Sequence, residues 1–305
     1  MALPSDVHVV DVLMKNENSS ADMIEIMQHQ QSFIPENFPK GHRIMSGGDH
    51  LTCERQIAAQ HHLSDGDTQR EHLELIEPQV EDWHALMNFM LGIWKKLFKD
   101  SARDHGTLRQ LCGLLGRHPA AKDPKKDMNA CVDFLMAVVK GHYIAAACLI
   151  LGIEAPVRDC QYTKPQCKSV VDKCGLVDNA LLLKDDATED EHKDGIHSYN
   201  CLCHFASLVI EFLDAWSEGD GDRICRCWKI FMLHFHEGKQ TKYALQALRI
   251  QFQLVELSPS LAHQLKWNRF VNYKGGRGTN IPCDLHNEHI NRSVKGIINH
   301  MGAPK

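Results

Sequence analysis

From Met128 to Leu151 apolar side chains occupy nearly every side of a helical repeat, so any fold that includes this stretch must surround it with other elements. Asp133 and Lys140 interrupt it, and no stretch of the chain reaches the roughly 18 uninterrupted apolar residues of a membrane span. No membrane partner is expected. The remedy for such a helix is a bundle, and the flanking sequence supplies one. Glu81 to Phe98 places Trp83, Leu86, Met87, Met90, Leu91, Trp94 and Leu97 on one face, and further helices are expected over 103–116, 200–216, 221–236 and 241–256. Residues 100–260 should therefore be almost wholly helical where ordered. The turn Glu218-Gly-Asp-Gly-Asp222 lacks the further ligands and closing glutamate of a calcium loop and reads as a connection between helices. Gly152 ends the central helix. The segment that follows, with Pro156, Pro165 and a charged run, reads as loops around short helices with a disordered loop near 184–197.

The first hundred residues read differently. Val7, Val9, Val10, Val12 and Leu13 are consistent with a strand over 6–14, and Ser19 to Asp22 supply capping chemistry for a helix over 21–32. The run Arg43-Ile-Met-Ser-Gly-Gly then reads as a brief buried strand whose C-terminal edge displays Asp49, with a helix following it. In open α/β sheets ligands collect at that edge. A polar connector spans 64–68, and a helix approach is interrupted at Pro78. Two other places offer polar partners for Asp49. His84 and Asn88 lie four apart and share a helix face, and Asp284 starts a late helix on which Glu288 and Asn291 share a face.

With 305 residues, 43% hydrophobic and 24% charged, the chain can bury one large core or two smaller ones. Its net charge of -5 excludes a uniformly basic coat. The distribution is uneven, because Lys95 to Lys126 carries nine Lys/Arg against three Asp/Glu, and Gln264 to Lys305 seven against two. Within the second region Lys266, Trp267, Arg269, Tyr273, Lys274 and Arg277 flank a glycine-rich turn, a composition that suits a nucleic-acid strand: cations neutralise phosphate, glycines allow close approach and rings stack on bases. The twelve cysteines include no CxxC, and neither the CxC pairs nor Cys160, Cys167 and Cys174 have finger spacing, so no zinc is expected. The N-terminus lacks a basic region followed by a long apolar run, which points to an intracellular, thiol-reducing compartment.

Several stretches resemble one family. Ser46-Gly-Gly-Asp-His-Leu-Thr52, Pro78-Gln-Val-Glu-Asp-Trp-His84, Lys122 to Asp127, Asp220 to Lys229, Thr241 to Leu248 and Trp267 through Leu285 are similar to domain of unknown function 6589, a eukaryotic family with no established activity. A second resemblance is to Mutator-like transposases, in which an aspartate after a strand, a helix bearing a histidine, a long helical insertion and a late glutamate build a ribonuclease-H-like core holding two metals. That resemblance implies a mainly α chain with a small α/β part: a partial core over 1–98, a helical insertion over 99–260, and a basic loop and Glu288 helix returning over 261–305. It also implies that Asp49 and Glu288 are catalytic, metal-binding acids for Mg or Mn, supported by His84, Asn88 and Asn291, in a nuclear protein that cleaves DNA. Such transposases place cysteine or aspartate three positions before the histidine, whereas Glu81 stands here. Only 48 residues precede Asp49, with Asp11 the one reasonable first acid, so the first acid is expected upstream of Met1 and the chain as given is expected to be incomplete or inactive. The other reading is a non-catalytic helical protein that binds DNA or another protein.

Overall fold

The structure, a computed structural model, describes residues 3–11, 13–36, 42–104, 106–120, 123–152 and 190–300. It is mainly helical, with ten α-helices and four short strands among the described residues. The chain divides into two compact units: Met1–Leu86 with Phe212–Lys305, and Met87–Glu211.

The first unit begins with α1 (Ser20–Ser32), whose first turn is capped by the Ser19 hydroxyl accepting the Asp22 amide. Strand β1 (Ile44–Gly48), helix α2 (His50–His62) and strand β2 (Ile76–Val80) follow, and the strands pair in parallel with Ile44 opposite Ile76 and Gly48 opposite Val80. A parallel pair needs a crossover, and α2 is that crossover. Met23, Met27, Ala59, Leu73 and Ile76 form the core beneath it. Pro78 interrupts nothing. Ile44 donates to the Leu75 carbonyl and Gly48 accepts from the Glu81 amide, so the odd-numbered positions of β2 face β1 and proline occupies an even one, where no donor is required. The expected strand over 6–14 is absent from the described residues of that span. Val9 and Val10 are exposed and no neighbouring strand takes their peptide groups, so alternation without a partner left the segment irregular.

Helix α3 (Asp82–Leu97) begins in the first unit and continues into the second, burying Leu86, Phe89, Met90, Ile93, Trp94 and Leu97 at helical spacing. In the second unit come α4 (Leu108–Leu114), shorter than expected because Thr107 caps it only there, a 3-10 turn at His118–Ala120, and α5 (Met128–Leu151). Cys131, Phe134, Leu135, Val138 and Val139 of α5 are buried, with Trp94 stacked edge-on to Phe134 and donating to the Ala120 carbonyl. Beyond them Tyr143 and Ile144 are exposed, so α5 is enclosed along its first half only among the described residues. Helix α6 (Asp190–Glu218) then returns to the first unit. Of the expected disordered loop, 184–189 lies outside the described residues and 190–197 is helical. Cys160, Cys167 and Cys174 also lie outside them.

The return adds the antiparallel helices α7 (Gly221–Glu237) and α8 (Thr241–Glu256), a short α9 (Pro259–Trp267), strands β3 (Phe270–Val271) and β4 (Ile281–Pro282), and α10 (Cys283–His300). Phe212, Trp228, Phe231, Phe235 and Tyr243 pack ring against ring as its aromatic core. As the helical spacing predicts, the described part of 100–260 contains no strand.

Candidate functional site

Asp49 leaves β1 and caps α2. One carboxylate oxygen accepts from the amides of Leu51 at 2.9 Å and Thr52 at 2.8 Å, which satisfies two of the donors that every helix start leaves open. Burial alone would push this carboxyl up, but the Thr52 amide and hydroxyl, with the charges of His84 and His50, bring it below the usual range.

His84 stands in the first turn of α3, immediately after β2. Its ring Nδ1 lies 3.1 Å from Asp284 Oδ2, and the same carboxylate accepts the amides of His84 at 3.0 Å and Trp83 at 3.1 Å. Asp284 therefore caps α3 from the first turn of α10, a role that the sequence assigned only within its own helix, where it meets the Leu285 amide. Burial lowers the His84 ring. The hydrogen bond to Asp284 and the charges of Asp284, Asp49 and Glu288 outweigh it, so the ring holds its proton above the ordinary value. Asp49 and Glu288 thus add their charge at the His84 ring after that of the hydrogen-bonded Asp284. Glu288 and Asn291 are exposed on α10, and Asn88 is half-buried one turn along α3.

Sequence reasoning gave Glu81 no role. Its side chain covers Gly47 so closely that a Cβ there would lie 1.6 Å from Glu81 Oε1, while Oε2 is buried without a hydrogen-bond partner. Burial, then the neighbouring Asp284 charge, push this carboxyl well above its ordinary range, even though the Asp284 amide donates to it. The signal was present in Gly47-Gly48 opposite a carboxylate three positions before His84.

Of the six residues assigned to nucleic acid, Arg269 is excluded. It is fully buried, donating to Asp82 Oδ2 at 2.9 Å and Oδ1 at 2.7 Å and to the Val80 carbonyl at 2.7 Å, while Trp228 donates to the same Asp82 at 2.7 Å. Residues 269–271 turn inward to build β3, and the guanidinium follows them to the end of β2. Lys266 pairs with Asp222 at 2.9 Å and Arg277 with Glu218 at 2.9 Å. Trp267, Tyr273 and Lys274 are exposed, with the Tyr273 hydroxyl bonded to His286. The turn between β3 and β4 is built rather than loose: Asn272 Oδ1 accepts the Gly275 amide at 2.7 Å and the Thr279 hydroxyl at 3.0 Å, and Gly275, Gly276 and Gly278 adopt the left-handed backbone that a β-carbon disfavours.

Asp49, His84 and Glu288 do not make a ready ligand set. Among the described residues no group of three or more His, Cys, Asp or Glu side chains could hold a metal ion, and Asp49 already spends an oxygen on two amides. The two-metal centre that a transposase core would carry does not fit the residues described, since such a centre needs carboxylates converging on both ions. The residues instead form an acid–histidine cluster at the end of a parallel strand pair. No helix among the described residues is long and apolar enough to cross a membrane. The model of the family of unknown function DUF6589 matches residues 2–305. No curated protein and no solved structure matches the chain.

Proposed function

The chain belongs to the DUF6589 family, and from that premise we propose that it is a transposase-derived nuclear protein that associates with DNA and, by itself, does not cleave it. What supports this reading is that the charges of Asp49, at a strand end, and of Glu288, on a late helix, both favour the protonated His84 ring, with a long helical excursion between them in sequence. That is the order in which a Mutator-like core arranges its second acid, its histidine and its last acid. In this reading β1, α2 and β2 would be what remains of a ribonuclease-H-like core. Metal-dependent phosphodiester cleavage would require carboxylates free to converge on both ions, whereas Asp49 and Asp284 accept helix-capping amides, and the cluster then serves as a structural remnant.

DNA contact is assigned to Lys274, Arg277, Trp267 and Tyr273 on the surface around the β3–β4 turn, where the glycine backbone is held open by Asn272. Arg277 would exchange its exposed pair with Glu218 for phosphate, at little cost because such surface pairs contribute little. The test is fluorescence anisotropy with single- and double-stranded DNA across a salt titration. Lys274→Ala with Arg277→Ala should weaken binding and reduce the salt slope by about one to two, at roughly 0.9 for each phosphate that is no longer neutralised. An unchanged slope removes the assigned surface. In parallel, DNA incubated with Mg or Mn should remain uncut, and cleavage that Glu288→Gln abolishes would overturn the inactive reading.

A further inference from the structure

On α8 a second apolar face looks away from the core. The buried face uses Tyr243, Ala244, Ala247 and Ile250, whereas Leu245, Leu248, Phe252 and Val255 remain 64%, 40%, 60% and 79% exposed. Their spacing is three, four, three, the seam of a helix that packs lengthwise against another helix. On the adjoining α7, Ile230 and Leu233 are exposed as well. Contiguous apolar surface on this scale is rare on a monomer and marks contact with a partner.

We propose that this face pairs with the same face of a second copy, α8 against α8, antiparallel about a two-fold axis near Ile250. The spacing admits that occupant because it is palindromic. Rotated about position 250, Leu245 meets Val255 of the other copy and Leu248 meets Phe252, so the stripe is complementary to itself, as an isologous interface requires. The end charges select the direction. Lys242, whose exposed pair with Glu54 at 3.4 Å contributes little and can exchange, precedes the stripe and Glu256 follows it, so antiparallel helices bring unlike charges together at both ends and parallel helices bring like charges together. Each small-to-large contrast, Leu against Phe and Leu against Val, then fills one continuous seam.

Sedimentation equilibrium of the full chain at tens of micromolar tests this. The wild-type chain should give twice the 34.6 kDa chain mass. Leu248→Glu alone and Phe252→Lys alone should each give the monomer, with the circular dichroism spectrum unchanged and a cooperative thermal transition retained. The double variant Leu248→Glu with Phe252→Lys should restore the dimer, because in the antiparallel register each introduced carboxylate faces an introduced ammonium. A monomeric wild-type chain, or single variants that remain dimeric, overturns the proposal. A double variant that stays monomeric overturns the antiparallel register, since a parallel pair would oppose like charges. Loss of folding in either single variant also overturns it, because the stripe would then be packed within its own chain.

Discussion

Asp82 and His84 lie two residues apart at the start of α3, yet one belongs to a sealed ion pair and the other to a half-open cluster. Asp82 is buried and receives two guanidinium nitrogens and an indole, which fixes the end of β2 to β3 and α7. His84 retains partial exposure and answers to three carboxylates, Asp49 at the start of α2 and Asp284 and Glu288 on α10. The first arrangement is fully paired and holds the fold; in the second the His84 ring can titrate. A buried charge is tolerable only when fully paired, so the knot has no freedom to act, whereas the cluster keeps it.

Breaking the knot should have the largest effect. Arg269→Ala leaves the Asp82 charge buried and uncompensated, and urea unfolding should show a loss of about 3–5 kcal/mol. Arg269→Lys should not recover it, because a point charge cannot bridge both Asp82 oxygens and the Val80 carbonyl. A loss under about 1 kcal/mol would mean that the pair does not organise this end of the sheet. Gly47→Ala should follow, costing about 1–3 kcal/mol through overpacking against Glu81, and Glu81→Ala in the same chain should return part of it. If the double variant is no better than the single, Glu81 is not the obstruction.

Asp284→Asn sharpens the comparison from the other side. It weakens the cap on α3 and removes the charge beside His84, so unfolding should cost about 1–2 kcal/mol less than in the parent chain near pH 6. The pH dependence has a defined sign. A histidine raised in the folded state contributes stability that is complete below its ordinary value and is lost as pH rises through the raised one, so the difference between parent and variant should shrink toward alkaline pH. The smallest effect belongs to Glu81→Gln. The raised carboxyl likewise stabilises below the ordinary carboxylate range and loses that contribution as pH rises toward its raised value, so the variant should lose less stability than the parent as pH rises from the ordinary carboxylate range. Equal slopes would show that Glu81 ionises without penalty.

Periodicity made the helices legible because a 3.6-residue apolar repeat is local: α3, α5, α7 and α8 lie close to where their spacing puts them. Asp49 at a strand's end and the Asp284 helix start were legible for the same reason, through capping residues. What was not local was not legible. The strand pairing of Ile76 to Val80 through Pro78 depends on which peptide edge faces β1, and no window of sequence carries that. Arg269 looked like one more cation of a basic loop, because its partner Asp82 stands 187 positions away. The Val7 to Leu13 alternation failed as a strand for want of a neighbour, which propensity alone cannot supply.

The central claim is that Asp49, Asp284 and Glu288 form one electrostatic cluster around His84. Following the His84 ring by NMR through a pH titration tests it directly, in the parent chain and in Asp49→Asn, Asp284→Asn and Glu288→Gln. The parent ring should titrate above the ordinary histidine value, and each substitution should lower it, Asp284→Asn the most because it removes a hydrogen bond as well as a charge. A ring that titrates unchanged in Asp49→Asn and Glu288→Gln would contradict the cluster and, with it, the proposed descent from a catalytic core.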